Sequence, residues 1–256
     1  MKREIRKLSS DGKKVQITVA DTERWYMEEI DNEVKAYPSV TWIAGCYPKG
    51  VAYYKWLANK GWDESQAILS EAGSRGHKVH EAITSLLNGK SVRMEDKFLN
   101  TETGEPEELT LEEYQALLSF KSWFDTVKPE QIHNEIFVKN EEMGYAGTVD
   151  LYCHINGEPW IIDFKTSQYI WPSHELQVSA YKHAGRENKA KLAILQLGYQ
   201  RNKNRYKFTE VQDKFDLFEA AYKIWQNENP RTKPFAVDLP TEIDLGVSIK
   251  KFKESK

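Results

Sequence analysis

The chain has 256 residues, 40% of them hydrophobic, which suffices for a substantial core in one large domain or in a domain with an elaborated N-terminal half. A formal net charge of −3 gives no global basic signature, so a nucleic-acid partner needs a local patch, and the balance argues against tight nonspecific coating of duplex. The two cysteines, Cys46 and Cys153, exclude a disulfide framework and leave no four-cysteine set for an iron–sulfur cluster or structural zinc.

Along the chain, residues 1–14 read as a polar tail and 15–36 as a small hairpin around Asp31-Asn32. From Tyr37-Pro38-Ser39 the pattern turns helical, punctuated by Gly45 and Pro48-Lys49-Gly50, with helices over 50–59 and 63–88, the second ended by Asn88-Gly89. Residues 90–109 read as an acidic loop or insertion. Thr110 with Glu113 forms a capping box for a helix to about Val127. A strand over 134–139 and two further strands follow, then a helix over 174–187 capped by Ser173. Strands at 192–200 and 205–211 and a helix over 213–228, ended by Pro230, complete the pattern. The tail from 231 is irregular and basic. This order predicts an α/β fold, a mixed sheet flanked by helices, with a mostly helical N-terminal elaboration. The expected division is 1–109, contributing His80; a core over 110–230; and the tail 231–256. No apolar run reaches the length of a membrane span, and the N-terminus is charged, so a cytoplasmic protein without a membrane partner is expected.

The chemistry concentrates in YAGTVDLYCHI and EPWIIDFKT, two strand-like segments joined by Asn156-Gly157, a strong hairpin signal. With that turn, Ile155 faces Glu158, Tyr152 faces Ile161 and Asp150 faces Asp163. Two carboxylates directly opposed lie about 4.5–5.5 Å apart at Cβ and repel unless neutralised, for which a divalent cation is suited. Side-chain alternation puts Lys165 on the face of Asp163. A β-bulge would break this register. The bland alternative is a solvated surface hairpin, against which stand the apolar run Trp160-Ile161-Ile162 and Gly147, a strand glycine that suggests close approach of backbone or ligand.

Other candidates are weaker alone. His80 lies four residues after Gly76, with Gly73 near the same face, and those glycines would let the helix approach the sheet. Spacing alone favours a core or solvent-facing histidine. His77 competes, and no i, i+4 histidine pair exists here. Gln177 and Tyr181 share a helix face. Glu135 is an auxiliary ligand or base, or a solvated strand-end carboxylate. Trp42, Tyr47, Tyr53, Tyr54, Trp56 and Trp62, interleaved with lysines, read as core more readily than as a base-stacking platform. Tyr169 and Trp171 are better placed to touch a substrate.

In this order, His80, Gly147-x-x-Asp150, Asp163-x-Lys165 and Gln177-x-x-x-Tyr181 resemble the RecB-type branch of the PD-(D/E)xK nuclease superfamily. The resemblance covers roughly residues 72–200 and is similar in style to phage exonucleases, the mitochondrial genome maintenance exonuclease and CRISPR-associated adaptation nucleases. It implies a restriction-endonuclease-like core and a metal-dependent DNA exonuclease acting on single-stranded or frayed ends in replication, recombination or repair. It implies Mg²⁺ or Mn²⁺ held by His80, Asp150, Asp163 and the Phe164 carbonyl, with Lys165 catalytic and Gln177 and Tyr181 supporting the site and contacting DNA. Glu135 carries over less directly. The missing cysteines depart from the iron–sulfur members and favour a cluster-free branch. A structure-specific endonuclease and a catalytically silent DNA-binding adaptor remain as rival readings. Polarity, DNA versus RNA, and any helicase or recombinase partner stay open.

Overall fold

The structure, a computed structural model, describes residues 2–7, 14–19, 23–30, 33–185 and 189–230. The basic tail expected from 231 and the Asp31-Asn32 turn lie outside them.

Four strands open the chain: β1 (Lys2–Lys7), β2 (Lys14–Val19), β3 (Arg24–Ile30) and β4 (Glu33–Pro38) form an antiparallel meander. The expected hairpin is thus its second half, pairing Ile30 with Glu33, and the expected tail supplies its edge strand. KREIRK has a single large apolar residue, so nothing in its pattern announces a strand that exists through pairing with β2. Ser39 then caps α1 (Val40–Gly45), its hydroxyl accepting from Trp42 N–H at 3.2 Å. Next come α2 (Val51–Lys60) and α3 (Trp62–Leu87), the latter closed at Asn88. The expected insertion holds a two-stranded ladder, β5 (Lys97–Leu99) with β6 (Pro106–Glu108). The Thr110–Glu113 capping box opens α4 (Leu111–Val127).

The central elements are β7 (Glu130–Asn140), β8 (Tyr145–Ile155), β9 (Glu158–Lys165), α5 (Pro172–Ala184), β10 (Lys191–Leu197), β11 (Tyr206–Val211) and α6 (Phe215–Glu228). The five strands form one sheet in the order β11-β10-β9-β8-β7, antiparallel except for β9 and β10. Helices and this mixed sheet make the chain α/β. Asn156 and Gly157 both take positive φ, 52° and 80°, as a type I′ turn demands, and the hairpin register runs from Ile155↔Glu158 to Leu151↔Ile162 as expected. The helix after β9 starts earlier than expected. Trp171, not Ser173, is its N-cap, because Pro172 occupies the first helical position, where its missing N–H costs nothing.

Two apolar layers cover the sheet. On one face α1, α5 and α6 bury Val40, Ile43, Leu176 and Phe218 with Ile161 and Leu192. On the other, α3 and α4 bury Val79, Ile83, Phe120 and Trp123 with Leu151, Trp160, Ile162 and Leu195. Val149 belongs to the first layer and Leu151 to the second, although two residues on a flat strand share a face. β8 therefore turns over at Asp150. The N-terminal meander lies against β7 and β8 through the buried Tyr26, Tyr37 and Ala146 and through Lys139–Glu28 at 2.7 Å.

The N-terminal aromatics divide. Trp42 stands edge-on to Trp25 and Trp225, with centroids 5.4 and 4.9 Å away, and Tyr47 packs on the same layer. By contrast, α2 buries none of its residues, Tyr54 is exposed, and so is Trp62 at the start of α3. The core assignment holds for the first two and fails for Tyr54 and Trp62. Among the described residues no helix is long and apolar enough to cross a membrane.

Candidate metal and phosphate site

A cavity of about 1040 Å³ opens where α3 faces the turned-over part of β8, and Glu135, Asp150, Asp163, Lys165, His80, Gln177 and Tyr181 all line it. The strand ladders explain why the carboxylates meet. β7 and β8 pair at Asn134↔Leu151 and Ile136↔Val149, which sets Glu135 opposite Asp150. β8 and β9 stop pairing at Leu151↔Ile162, and the next positions are Asp150 and Asp163. Three acidic side chains thus occupy one row across three strands, at the place where the strands part. Glu135 itself has φ 51°, a left-handed conformation that costs a non-glycine residue about 1–3 kcal/mol and here re-aims its strand at the site.

His80 reaches the row from α3. Its Nε2 lies 3.0 Å from the Phe164 carbonyl and its Nδ1 3.3 Å from Asp150 Oδ1. Both partners only accept, so both ring nitrogens carry protons. Burial alone would lower the His80 pKa, but the Asp150 carboxylate outweighs it and lifts the pKa to about 9. Asp150 shows the reciprocal effect. Burial pushes it up, yet His80, Lys165 and the Phe164 N–H, which donates to Oδ2 at 2.8 Å, hold it below the ordinary carboxylate range.

Asp163 is fully buried. Its Oδ1 accepts from Gln177 Nε2 at 2.8 Å; its Oδ2 has the Lys165 ammonium 2.5 Å away but no aligned hydrogen bond. Burial raises its pKa to about 6 against the opposing pull of Lys165. Gln177 is the hub: its Oε1 accepts from Lys165 Nζ at 3.2 Å, and its Nε2 also lies 2.7 Å from the Tyr181 hydroxyl. Tyr181 is itself buried, so it acts on the cavity through Gln177. The Tyr181 ring is also what approaches Gly147: a Cβ there would sit 2.4 Å from Tyr181 Cε1. The close neighbour expected at that glycine is a side chain, not a backbone or a ligand.

The helix glycines behave differently from expectation. A Cβ on Gly73 meets nothing within 4 Å, and on Gly76 only the Thr166 hydroxyl at 3.7 Å. They do not let α3 touch the sheet; they border the cavity and leave it wide. His77 pairs with Glu81 at 3.4 Å, one turn along its own helix.

Ligand atoms of His80, Glu135 and Asp150 all lie within 4.8 Å of one another, a spacing that a single divalent cation spans. Phe164 O beside His80 is an adjoining oxygen, whereas Asp163 Oδ2, expected as a ligand, faces the Lys165 ammonium and lies outside this group. Imidazole with hard carboxylate and carbonyl oxygens suits Mg²⁺ or Mn²⁺. The residues fit such an ion, which would displace the proton from one His80 nitrogen and so keep a positive charge among these carboxylates. Asp163 is bonded into the Lys165–Gln177 group, so Glu135 has the more central place in the cluster.

Three other cavity residues are not among the candidates that the sequence singles out. Arg24 comes from the meander and Arg75 from α3, and neither carries a pattern. His174 does, lying three residues before Gln177 on one helix face. It accepts the Trp171 N–H on Nδ1 at 3.3 Å, and burial, with Lys165 and Lys49 nearby, lowers its pKa to about 3. Tyr169 and Trp171 are exposed, and Trp171 lies on the cavity rim. Comparison with protein-family models and with curated proteins finds no match to this chain.

Proposed function

We propose that this protein is a metal-dependent DNA exonuclease of the PD-(D/E)xK superfamily, built on a restriction-endonuclease-like core and acting on single-stranded or frayed ends in replication, recombination or repair. The observation that carries the reading is the convergence of His80, Glu135 and Asp150 beside the Asp163–Lys165–Gln177 group in one cavity. Carboxylates gathered in a row are unfavourable without a cation, and an ammonium fixed beside them is suited to an anionic substrate.

A Mg²⁺ or Mn²⁺ ion held there supplies Lewis-acid polarisation of the phosphate and lowers the pKa of water. His80, Asp150 and Glu135 would hold it, with Asp163 and the Phe164 carbonyl alongside. Lys165, fixed between Asp163 and Gln177, offsets charge that grows on the phosphoryl oxygens. Gln177 keeps Asp163 and Lys165 in place, and Tyr181 steadies Gln177 from beneath. In hydrolysis a water oxygen bonds to phosphorus, the P–O3′ bond breaks, and the leaving oxygen takes up a proton. The products are a 5′-phosphate and a 3′-hydroxyl.

The test is degradation of end-labelled single-stranded DNA with Mg²⁺, Mn²⁺ or EDTA, beside Asp163→Ala and Lys165→Ala. Metal-dependent degradation lost in both variants, with a closed circle left intact, is the expected result. A folded, metal-binding wild type that leaves all DNA whole would overturn the reading, and cleavage of the circle would move it to an endonuclease.

A further inference from the structure

The loop from β9 to α5 leads directly from Lys165 to the cavity rim, and it carries two large aromatics into solvent. Tyr169 is 58% exposed and Trp171 is 47% exposed, and neither joins an apolar layer of the fold. Exposure of this kind on a slack loop would mean little. This loop is braced along its length. Gln196, buried in β10, donates to Ser167 O at 2.9 Å. Gln168 donates to Gly198 O and accepts from Gln200 N–H, both at 3.0 Å. The Ser167 hydroxyl donates to Tyr169 O at 2.8 Å. Trp171 is fixed by its N–H bond to His174 and by Pro172, which restricts the backbone of the residue before it. The rings lie 6.2 Å apart at 44°. The Arg201 guanidinium lies 5.0 Å from the Tyr169 centroid.

Rings held half in water forgo much of the burial open to them, and a flat apolar ligand would recover that area. An arginine beside them adds attraction for a polyanion. We propose that Tyr169, Trp171 and Arg201 form a stacking site for unpaired bases, which feeds a single strand into the cavity. Duplex bases are stacked on each other and offer no free face, so this site selects single-stranded polynucleotide by shape. The inference rests on the nuclease reading for its direction of feed, but binding at the rim stands apart from turnover.

The experiment measures binding of a short oligothymidylate, of the same strand with abasic positions, of oligouridylate and of a blunt duplex, all in EDTA by fluorescence anisotropy. Wild type is compared with Tyr169→Ala, Trp171→Ala and Tyr169→Phe, with circular dichroism as the check of folding. Stacking on an aromatic side chain is worth about 5- to 150-fold in affinity per base. Each alanine variant is therefore expected to weaken single-strand binding within that range, to spare duplex binding, and to lose the preference for thymidylate over the abasic strand. Tyr169→Phe is expected to keep all three. Equal loss for DNA and RNA is expected, since every base has a π-face. Folded alanine variants that bind oligothymidylate as wild type does, or that still distinguish it from the abasic strand, would overturn the proposal. Hydrolysis of bis(p-nitrophenyl) phosphate with Mn²⁺, which has no base to stack, reports the catalytic site separately. Its absence in wild type would count against the nuclease reading and leave the stacking result to stand or fall on binding.

Discussion

Asp163 carries its charge where water does not reach it. Its folded pKa, about 6, lies above the ordinary value of 3.8, so ionisation is disfavoured in the metal-free fold. The stability involved is present below the unfolded value and is lost as pH rises through about 6. A two-unit shift corresponds to roughly 3 kcal/mol, a net figure in which the attraction to Lys165 is already included. Asp163→Asn should therefore stabilise the metal-free protein at pH 8 by about 1–3 kcal/mol while abolishing metal-dependent activity. Urea midpoints in EDTA check this, and a variant less stable than wild type would refute it. Gly147 works in the opposite sense. With a Cβ placed 2.4 Å from Tyr181, Gly147→Ala must displace the ring or the strand. The expected loss is about 1–3 kcal/mol in the same titration. Activity should fall further than stability alone explains, because Tyr181 holds Gln177.

At the scale of elements, α5 joins catalysis to stability. Its first turn bears His174, kept neutral by burial and by the flanking Lys165 and Lys49, and its next turn bears Gln177. The unfolded chain protonates His174 near pH 6.5, whereas the folded chain resists until about pH 3. The depressed value means that stability is complete above the unfolded pKa and drains away as pH falls below it. Between pH 7 and 5 this amounts to about 1–2 kcal/mol. His174→Gln should flatten that part of the stability–pH curve, measured by denaturant titration at the two pH values; an unchanged slope would place the acid sensitivity elsewhere. The same helix shows what the sequence could and could not say. Gln177 and Tyr181 were legible as an i, i+4 pair, and the α4 capping box and the β8–β9 register were legible because their signals are local. The start of α5 was misread because Ser173 is a good cap in isolation, while Pro172 had already fixed the first turn. β1 was read as a tail because a charged strand is made by its neighbour rather than by its own pattern. Glu135 was legible as a candidate but not as the facing partner of Asp150, which depends on a third strand and a left-handed residue.

Across the whole molecule, the site stands where two apolar layers approach each other without merging. The layer of α3 and α4 supplies His80, the sheet supplies the carboxylates, and the layer of α1, α5 and α6 supplies Gln177 and Tyr181. In the metal-free state α3 is joined to the row of acids by the His80 imidazolium alone among the candidate ligands. A cation bound by His80, Glu135 and Asp150 would tie α3 to β7 and β8 directly, so its binding free energy adds to the stability of the folded state. At one hundred times its dissociation constant an ion contributes about 2.7 kcal/mol. Addition of Mn²⁺ to the EDTA-treated protein should accordingly raise Tm, and the gain in hydrogen-exchange protection should fall on α3 and on the middle of β7 and β8, not on the edge strand β11. His80→Ala should retain the fold, lose most of the Mn²⁺-induced shift, and show no protection gain in α3. A shift in Tm that survives in His80→Ala with its protection pattern unchanged would mean that the ion binds elsewhere, and that the meeting of the three layers does not define a metal site.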